Sequence, residues 1–328
     1  MNTHYTSLIR VLGEHRVRLD VPLAPFTTFK IGGPADLLYR AQTAQELVGA
    51  ISEAGKLNIP VFVLGGGSNI LFGDKGYRGL VVKNETKKIL IRAAKGSLIK
   101  GKREGGQIFV EADSGVMFNA LVRFTLEEGL SGLEMHLGLP GTVGGALYMN
   151  SKWTHPPAYV GEAVYQATIL TPQGKLTTVP QSYFQFGYDT SVLQKNNSVV
   201  ITVVFMLTAG SKEKLWKIAD ESIAYRRQSQ PAGVFSPGCT FRNLSESEAI
   251  TAPTPNRTLS AGFLIDHAGL KGVSEGGAYF SDVHANFIIN KGSARASDVV
   301  KLIERAKEQV KHKFGVSLEE EIVRIGEF

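Results

Sequence analysis

Two glycine-rich loops are the residues whose types and spacing point most directly to chemistry. The first follows the apolar run Val61–Leu64 and consists of Gly65, Gly66, Gly67, Ser68 and Asn69. Glycines at the end of a buried strand let a ligand approach the backbone, and successive N–H groups form a nest for phosphate oxygens. The loop has neither the Lys-Ser/Thr of a Walker motif nor the GxGxxG spacing. A tight structural turn explains it as well as a phosphate site does.

A second loop of small residues, Gly138-Leu139-Pro140-Gly141-Thr142-Val143-Gly144-Gly145, lies farther along the chain. A long, bent cofactor needs two such loops, because one can hold its pyrophosphate while the other lies against a flat ring system. Close packing of two structural elements is the alternative for this loop alone.

Apolar periodicity predicts the elements that position the first loop. Residues 35–40 and 61–64 have the composition of strands, and Thr43 is expected to cap a helix over 44–55. Residues 71–82 alternate between turns and short strands. Together they predict a β-α-β-β unit, assigned to a first subdomain at 1–82.

The rest of the chain divides into two further predicted domains, at 83–210 and 211–328. The first contains strands and one helix, predicted at 108–111, 163–171, 199–207 and, for the helix, 121–126. The last contains two helices and a strand, predicted at 212–228, from a Ser297 N-cap to Gly315, and at 318–326.

The length, the cysteine content and the apolar segments of the chain exclude several protein classes. The chain has 328 residues, more than a typical single domain of roughly 100–200 residues. One cysteine allows no disulfide within the chain, which suits a reducing compartment. No segment has the ~20 consecutive apolar residues of a membrane helix, and the first residues lack the features of a secretory signal. We expect a cytoplasmic protein without membrane association, and we predict no metal site.

The formal charge of +6 comes from one segment. Residues 83–103 contain eight basic residues and one glutamate, which gives this segment +7 and the rest of the chain −1. The segment lacks aromatic residues for base stacking, and the chain has no nucleic-acid motif. The pattern favours a solvated β-hairpin, with steering of an anionic ligand as the alternative. We therefore expect no nucleic-acid partner.

Six motifs, in the same order along the chain, resemble the UDP-N-acetylenolpyruvoylglucosamine reductase (MurB) family. They are TTFKIGGPAD (27–36), VLGGGSNIL (63–71), GLSGLEMHLGLPGTVGGALYMN (129–150), GCTFRN (238–243), HANFIIN (284–290) and FGVSLEEEIVRIG (314–326). The resemblance implies an α+β fold. Its FAD-binding part resembles vanillyl-alcohol oxidase and has two α+β subdomains, and a C-terminal α+β domain of the MurB type follows. The tyrosine-bearing substrate loop of one subclass has no counterpart here, which favours the shorter subclass.

The resemblance also implies an activity. Family members reduce UDP-N-acetylglucosamine enolpyruvate to UDP-N-acetylmuramate, a step in peptidoglycan synthesis. A hydride passes from NADPH through FAD to C3 of the enolpyruvyl group, and a protein acid protonates C2. We therefore expect non-covalent FAD, NADPH, a UDP-sugar enolpyruvate substrate and a monomer. An FAD-dependent oxidase or dehydrogenase of the same N-terminal fold with another substrate is one alternative, and a catalytically silent regulator is another.

Two catalytic residues follow from the resemblance. Cys239 stands where the family usually has a serine proton donor, and a thiol, with a reference pKa of about 8.5, is a stronger acid than an alcohol. The alternative for a lone cysteine is a small buried hydrophobe. Glu321 matches the catalytic glutamate. On a strand, Glu321 would share a face with Val323 and Ile325, and partial desolvation there favours acid–base chemistry. A solvated acidic edge is the alternative.

The cofactor-binding residues that the resemblance implies lie in both loops and beyond them: Gly65, Gly66, Gly67, Ser68, Asn69, Pro140, Gly141, Thr142, Gly144, Gly145, Asn150 and Arg226. Asn243 matches the family's substrate-binding asparagine, although Leu244 replaces the proline that usually follows it.

Two departures from the family's pattern bear on the substrate. The family's Phe-x-Tyr-Arg-x-Ser motif has an arginine that stabilises the enolate, whereas this chain has Asp189 there. A longer segment nearby adds Lys152 and His155. An anion beside a developing negative charge has the wrong sign, so we predict that Lys152, or in second place His155, binds the substrate as the replacement cation. The alternative is a surface loop, with Arg226 or Arg242 supplying the charge.

Overall fold

A computed structural model describes residues 3–99, 102–252 and 254–328, with the side chains of 95–105 left out. These residues form two compact units. Unit 1 comprises Met1–Arg18, Leu38–Gly66 and Leu80–Arg226, and unit 2 comprises Leu19–Leu37, Gly67–Gly79 and Arg227–Phe328. These boundaries differ from the three domains expected at 1–82, 83–210 and 211–328, which stay a prediction.

The α-helices of the described residues are α1 (Thr3–Leu12), α2 (Ala44–Lys56), α3 (Phe118–Glu127), α4 (Val143–Met149), α5 (Leu193–Asn196), α6 (Lys212–Ser229), α7 (Glu246–Thr251), α8 (Ala261–His267) and α9 (Ala296–Phe314). Short 3₁₀ helices cover Ala24–Phe26, Glu134–His136, Val160–Ala163, Gln181–Phe184 and Pro255–Arg257. None of the described helices is long and apolar enough to cross a bilayer.

The strands are β1 (Val17–Pro22), β2 (Pro34–Ala41), β3 (Val61–Leu64), β4 (Ile70–Phe72), β5 (Tyr77–Asn84), β6 (Ile89–Ile99), β7 (Lys102–Asp113), β8 (Leu130–Ser131), β9 (Lys152–Thr154), β10 (Pro157–Tyr159), β11 (Val164–Leu170), β12 (Leu176–Pro180), β13 (Val199–Ala209), β14 (Ser274–Glu275), β15 (Ala278–Phe280), β16 (Ile288–Asn290) and β17 (Val323–Ile325). One sheet has the order β1-β2-β5-β3, in which β3 and β5 run parallel.

The main sheet of unit 1 has the order β12-β11-β13-β7-β6, with β8 also paired to β13. Apolar residues of this sheet, α3 and α4 form one buried cluster, which includes Val110, Leu121, Leu147 and Phe205. Strands β6 and β7 form a hairpin with Ile99 opposite Lys102, which confirms the predicted hairpin. Four of the eight basic residues assigned to it have side chains outside the described part: Lys95, Lys100, Lys102 and Arg103.

In unit 2, α9 packs against β14 and β15 of the sheet β14-β15-β16 and against α8, and β4 pairs in parallel with β17. The predicted apolar face of α9 is buried, because Val299, Leu302, Ile303 and Val310 all belong to the core of this unit. The predicted end of α9 is confirmed, since Gly315 takes a left-handed φ of 69° at its C-cap.

The prediction of Ser297 as the N-cap of α9 is wrong, because the N-cap is Arg295 and the helix begins two residues earlier than predicted, at Ala296. The cause lies elsewhere in the sequence. The carboxylate of Asp74 accepts hydrogen bonds from the N–H groups of Ala296 (2.7 Å) and Ser297 (3.0 Å). Asp298 accepts one from the N–H of Arg295 at 3.0 Å. A distant carboxylate thus satisfies the free donors of the first turn.

Candidate active site

The two glycine-rich loops meet in unit 1. A Cβ atom on Gly65 would lie 2.4 Å from the hydroxyl oxygen of Thr142, and one on Gly66 would lie 2.6 Å from the Cα of Gly141. Side chains cannot occupy such short distances, so only glycine allows the two loops to approach. The glycines are therefore required for close packing of the two loops, which is the alternative that the sequence left open for the second loop.

Lys83 brings a positive charge to the first loop. It lies on β5, before the predicted basic hairpin begins, and its Nζ donates a hydrogen bond to the carbonyl of Gly65. Burial lowers the pKa of Lys83. Counting this lysine with the solvated hairpin was therefore wrong, because β5 ends before the hairpin.

Helix α4 begins inside the second loop. Thr142 is its N-cap, and the Thr142 hydroxyl accepts a hydrogen bond from the N–H of Gly145 at 3.4 Å. The N–H of Gly144 donates to the carbonyl of Ser114 at 2.8 Å. Pro140, also predicted to bind the cofactor, is exposed. Acceptors within the chain therefore satisfy the N–H groups of Gly144 and Gly145 in the first turn of α4.

The last three residues of the first loop belong to unit 2. A Cβ atom on Gly67, whose φ is +65°, would lie 2.4 Å from the carbonyl oxygen of Phe26. Ser68 and Asn69 form a turn and are half-buried. The side-chain amide of Asn69 donates to the backbone carbonyl of Glu321 at 3.0 Å. The loop that sequence analysis assigned to the cofactor therefore also contacts the predicted catalytic glutamate.

The side chain of Arg226 packs against Trp153 and Gly138 in unit 1. Its guanidinium carbon lies 4.8 Å from the centre of the Trp153 ring, and a Cβ atom on Gly138 would lie 3.1 Å from its Cδ. His136 is buried close by, and burial, followed by the positive charge of Arg226, lowers the pKa of His136 to about 4. The imidazole is therefore neutral at pH 7. Its Nδ1 has no hydrogen-bond partner among the described residues.

Sequence reasoning missed His136. A signal was present, since His136 is a titratable residue in an apolar stretch that leads into the second glycine-rich loop. Burial alone does not assign it a function.

Asn150 connects three parts of unit 1. It ends α4 with a left-handed φ of 45°. Its side-chain amide donates to the carbonyl of Gly187 at 2.8 Å, and its side-chain oxygen accepts from the N–H of Gly161 at 3.0 Å. These contacts fix the turn that contains Asp189. The cofactor-binding role of Asn150 stays a prediction.

The two departures from the family's pattern form an ion pair. The Nζ of Lys152 contacts Oδ2 of Asp189, and the two side chains are 15% and 4% exposed. Lys152 lies on β9, which pairs with β10 in a short hairpin. His155, the second candidate cation, instead stacks on Tyr225 with ring centres 5.1 Å apart.

In unit 2, Cys239 and Glu321 lie on segments that pair with each other. The N–H of Glu321 donates to the carbonyl of Thr240 at 2.8 Å, and Phe241 bridges to Glu320. Cys239 is half-buried and bridges on its other side to Phe287. The structure thus brings together two residues that are far apart in the sequence and that were predicted to act in one reaction.

The strand expected at 318–326 is shorter than predicted. The strand β17 covers only Val323–Ile325, so Glu321 precedes it. The argument that Glu321 shares a strand face with Val323 and Ile325 is therefore wrong. Backbone pairing with Thr240 and the contact from Asn69 fix the Glu321 segment instead.

Asn243 and Asn286 lie at the same end of unit 2. The side-chain oxygen of Asn243 accepts a hydrogen bond from the N–H of Ala261, the first residue of α8, at 3.1 Å. The amide of Asn286 pairs with the backbone of Phe241, at 2.9 Å from its N–H and 2.7 Å from its carbonyl. Sequence reasoning quoted the motif that contains Asn286 but gave this residue no role. Its role is to fix the segment next to Cys239.

Comparison with known proteins identifies the family. A profile described as "FAD binding domain" matches residues 35–180, and one described as "UDP-N-acetylenolpyruvoylglucosamine reductase, C-terminal domain" matches 230–325. The reductase of Lachnoclostridium phytofermentans is 34% identical over 99% of this chain and 98% of its own length. That of Halalkalibacterium halodurans is 37% identical over 97% of each chain.

The chain belongs to the UDP-N-acetylenolpyruvoylglucosamine reductase family. The crystal structure of the MurB enzyme from Thermus caldophilus matches with a TM-score of 0.72 and 30% identity, covering 94% of this chain and 99% of that one. A vanillyl-alcohol-oxidase-type flavoprotein of Myceliophthora thermophila matches with a TM-score of 0.54 at 10% identity, over 95% of this chain and 85% of that one. The predicted fold class is therefore confirmed.

Proposed function

We propose that this chain reduces UDP-N-acetylglucosamine enolpyruvate to UDP-N-acetylmuramate with NADPH, as a step in peptidoglycan precursor synthesis. The observation that carries this proposal is the pairing of the Cys239 and Glu321 segments in unit 2, through the hydrogen bond from Glu321 N–H to the Thr240 carbonyl. This pairing brings a thiol and a carboxylate to one region, as proton delivery to a substrate carbon requires.

The expected cofactor is FAD, bound without a covalent bond. When bound, FAD would supply the hydride chemistry that connects NADPH with the substrate. The residues that would hold it are those of the two loops, with Asn150 and Arg226, and the match of residues 35–180 to a profile described as "FAD binding domain" supports this assignment. The only cysteine of the chain is assigned to the substrate, so it does not link the flavin.

Reduction of the enolpyruvyl double bond adds a hydride at C3 and a proton at C2. We assign the proton to the thiol of Cys239, which then regains one from solvent. Glu321 is assigned to the same step, and Asn243 to binding the substrate at the start of α8. NADPH becomes NADP⁺, so electrons and protons balance without another reactant.

The test is a coupled measurement on the purified protein. Flavin should be released entirely into the supernatant after acid precipitation. NADPH oxidation should depend on the enolpyruvyl sugar nucleotide, and mass spectrometry should find the product two hydrogens heavier than the substrate. Flavin that stays in the pellet would reject non-covalent binding. NADPH oxidation that does not respond to this substrate would reject the proposed reaction.

The monomeric state and the cytoplasmic location expected from the sequence are part of this proposal. Light scattering after size exclusion should give a mass near 35.5 kDa. A mass of twice that value or more would reject the monomer. Recovery of the enzyme in the membrane fraction of lysed cells would reject the location.

A further inference from the structure

The Lys152–Asp189 pair of unit 1 is a largely buried ion pair, and its lysine lies on the short hairpin of β9 and β10. Its two charged groups contact each other, and their side chains are only 15% and 4% exposed. The ring of Tyr188 covers the ammonium as well, with Nζ 3.6 Å from the ring centre. A lysine on a short surface hairpin would ordinarily extend its charge into water. Here the charge is enclosed by a carboxylate and an aromatic face.

Stability does not account for such a pair. Taking both charges out of water costs several kcal/mol per ion, and replacement by apolar residues is often neutral or stabilising. Stability alone therefore does not explain why a positive charge is kept at this place.

The backbone around the pair is fixed from several sides. Asp189 has a left-handed φ of 53°, which aspartate tolerates better than most residues. Its carbonyl accepts a hydrogen bond from the side chain of Gln194 at 3.0 Å. Asn150, two residues before Lys152, donates to the carbonyl of Gly187, two residues before Asp189. One amide thus ties together the two segments that carry the ion pair.

The proposed reaction needs a cation of this kind. Hydride addition at C3 of an enolpyruvyl group places negative charge on C2 and on the carboxylate attached to it. A lysine ammonium has three N–H donors, more than one carboxylate oxygen can accept. It can therefore bind Asp189 and a ligand carboxylate together.

We propose that Lys152 binds the carboxylate of the substrate and stabilises its charge during reduction, and that Asp189 is a positioning residue that holds the Lys152 ammonium in place. This inference rests on the proposed function, since it assumes an enolpyruvyl substrate. According to this inference, Lys152 and Asp189 act together in binding the substrate carboxylate.

The first experiment compares ligands with and without the carboxylate. Titration calorimetry should show that Lys152→Met weakens binding of UDP-N-acetylmuramate at least 10-fold and leaves binding of UDP-N-acetylglucosamine, which lacks the lactyl carboxylate, unchanged. A matched control is Lys56→Met on α2, where Lys56 pairs with Glu53 but is 68% exposed. Equal losses for both ligands, or no loss for either, would overturn the inference.

The second experiment separates catalysis from structural support. Lys152→Met should slow substrate reduction about 10²-fold while NADPH consumption in the first half-reaction keeps its rate. Lys152→Arg should recover part of the activity. Asp189→Asn should lower kcat about 10-fold with a smaller change in KM, because it keeps the cation but loses its position.

The double variant Lys152→Met with Asp189→Asn removes both charges, so that neither is left buried and unpaired. It should be as slow as Lys152→Met alone. Recovery of wild-type turnover in the double variant would show that the pair is only structural. If the wild-type protein itself neither binds UDP-N-acetylmuramate nor turns over, the proposed function fails, and this result is distinct from an active wild type with an unaffected Lys152 variant.

Discussion

The charged groups near the two predicted catalytic regions are arranged in opposite ways. In unit 1, Lys152 and Asp189 form a buried ion pair. In unit 2, Glu320, the neighbour of Glu321, accepts hydrogen bonds from Lys307 at 2.6 Å and from two nitrogens of Arg324 at 2.6 and 2.7 Å.

The cluster in unit 2 is also redundant. Glu304 contacts the same two cations, at 3.3 Å from Lys307 and 3.1 Å from Arg324. Its members remain 18% to 51% exposed. Removing one charge there leaves every other charge a partner, whereas removing Lys152 in unit 1 leaves the buried Asp189 carboxylate without the cation that pairs with it. The buried Lys152–Asp189 pair is therefore suited to binding a charged substrate. The partly exposed cluster of Glu304, Lys307, Glu320 and Arg324 is suited to stabilising the fold.

The largest effect is expected for proton delivery in unit 2. Cys239→Ala should slow substrate reduction about 10²–10⁴-fold, the usual contribution of a general acid. Reduction by NADPH should keep its rate, and Cys239→Ser should retain substantial activity because a hydroxyl can donate a proton. Rapid mixing of each half-reaction separates the two. Equal rates in the alanine variant and the wild type would remove Cys239 from the mechanism.

The free energy of unfolding should differ between a variant that lacks one charge of the buried pair and a variant that lacks both. Lys152→Met should lower the free energy of unfolding by about 3–5 kcal/mol, because Asp189 is left buried without its cation. The double variant with Asp189→Asn should recover most of this loss. Urea unfolding followed by tryptophan fluorescence is suitable, since Trp153 and Trp216 both lie in unit 1. A single variant as stable as the double one would contradict the account of the pair.

A pH dependence is expected from His136. Its pKa is about 4 in the folded chain against an ordinary value of 6.5, so the unfolded chain binds more protons between these values. The stabilising contribution is complete above pH 6.5 and decreases as the pH falls toward 4, by up to about 3 kcal/mol. His136→Gln should be less sensitive to acid across this window. Parallel stability curves for both proteins would reject the buried neutral imidazole.

The smallest effect is expected in the open cluster. Glu320→Gln should lower the free energy of unfolding by about 1 kcal/mol or less, because Glu304 still contacts both cations. The control is Glu275→Gln, which breaks the exposed pair between Glu275 and Lys301. Lys301 lies on α9, as do Glu304 and Lys307, and this variant should have no measurable effect. Circular dichroism during thermal unfolding compares them. If Glu320→Gln lowered the stability as much as Lys152→Met does, the proposed difference between the two regions would be wrong.

Elements with local signals could be predicted from the sequence. Thr43 caps α2 as expected, with its hydroxyl accepting from the N–H of Glu46 at 3.2 Å, and the apolar face of α9 is buried. The start of α9 could not be predicted, because Asp74 supplies the capping carboxylate from another part of the chain. Helix α4 was not predicted either, since glycines disfavour a helix by propensity.

The candidate site follows the same rule. Motifs identified Cys239, Glu321 and both loops, because each has a local pattern. The contacts between them depend on pairing across large sequence separations, as with Asn69 and Glu321. Lys152 and Asp189 were each recognised as departures, and only the fold shows that they contact one another.

The most direct test of the central claim is a single-turnover experiment. The protein, reduced by one equivalent of NADPH under anaerobic conditions, is mixed rapidly with UDP-N-acetylglucosamine enolpyruvate. The account predicts fast reoxidation of the flavin with one equivalent of UDP-N-acetylmuramate formed, and slow reoxidation for both Cys239→Ala and Lys152→Met. Flavin that stays reduced in the wild type, or that reoxidises as fast in both variants as in the wild type, would contradict the account.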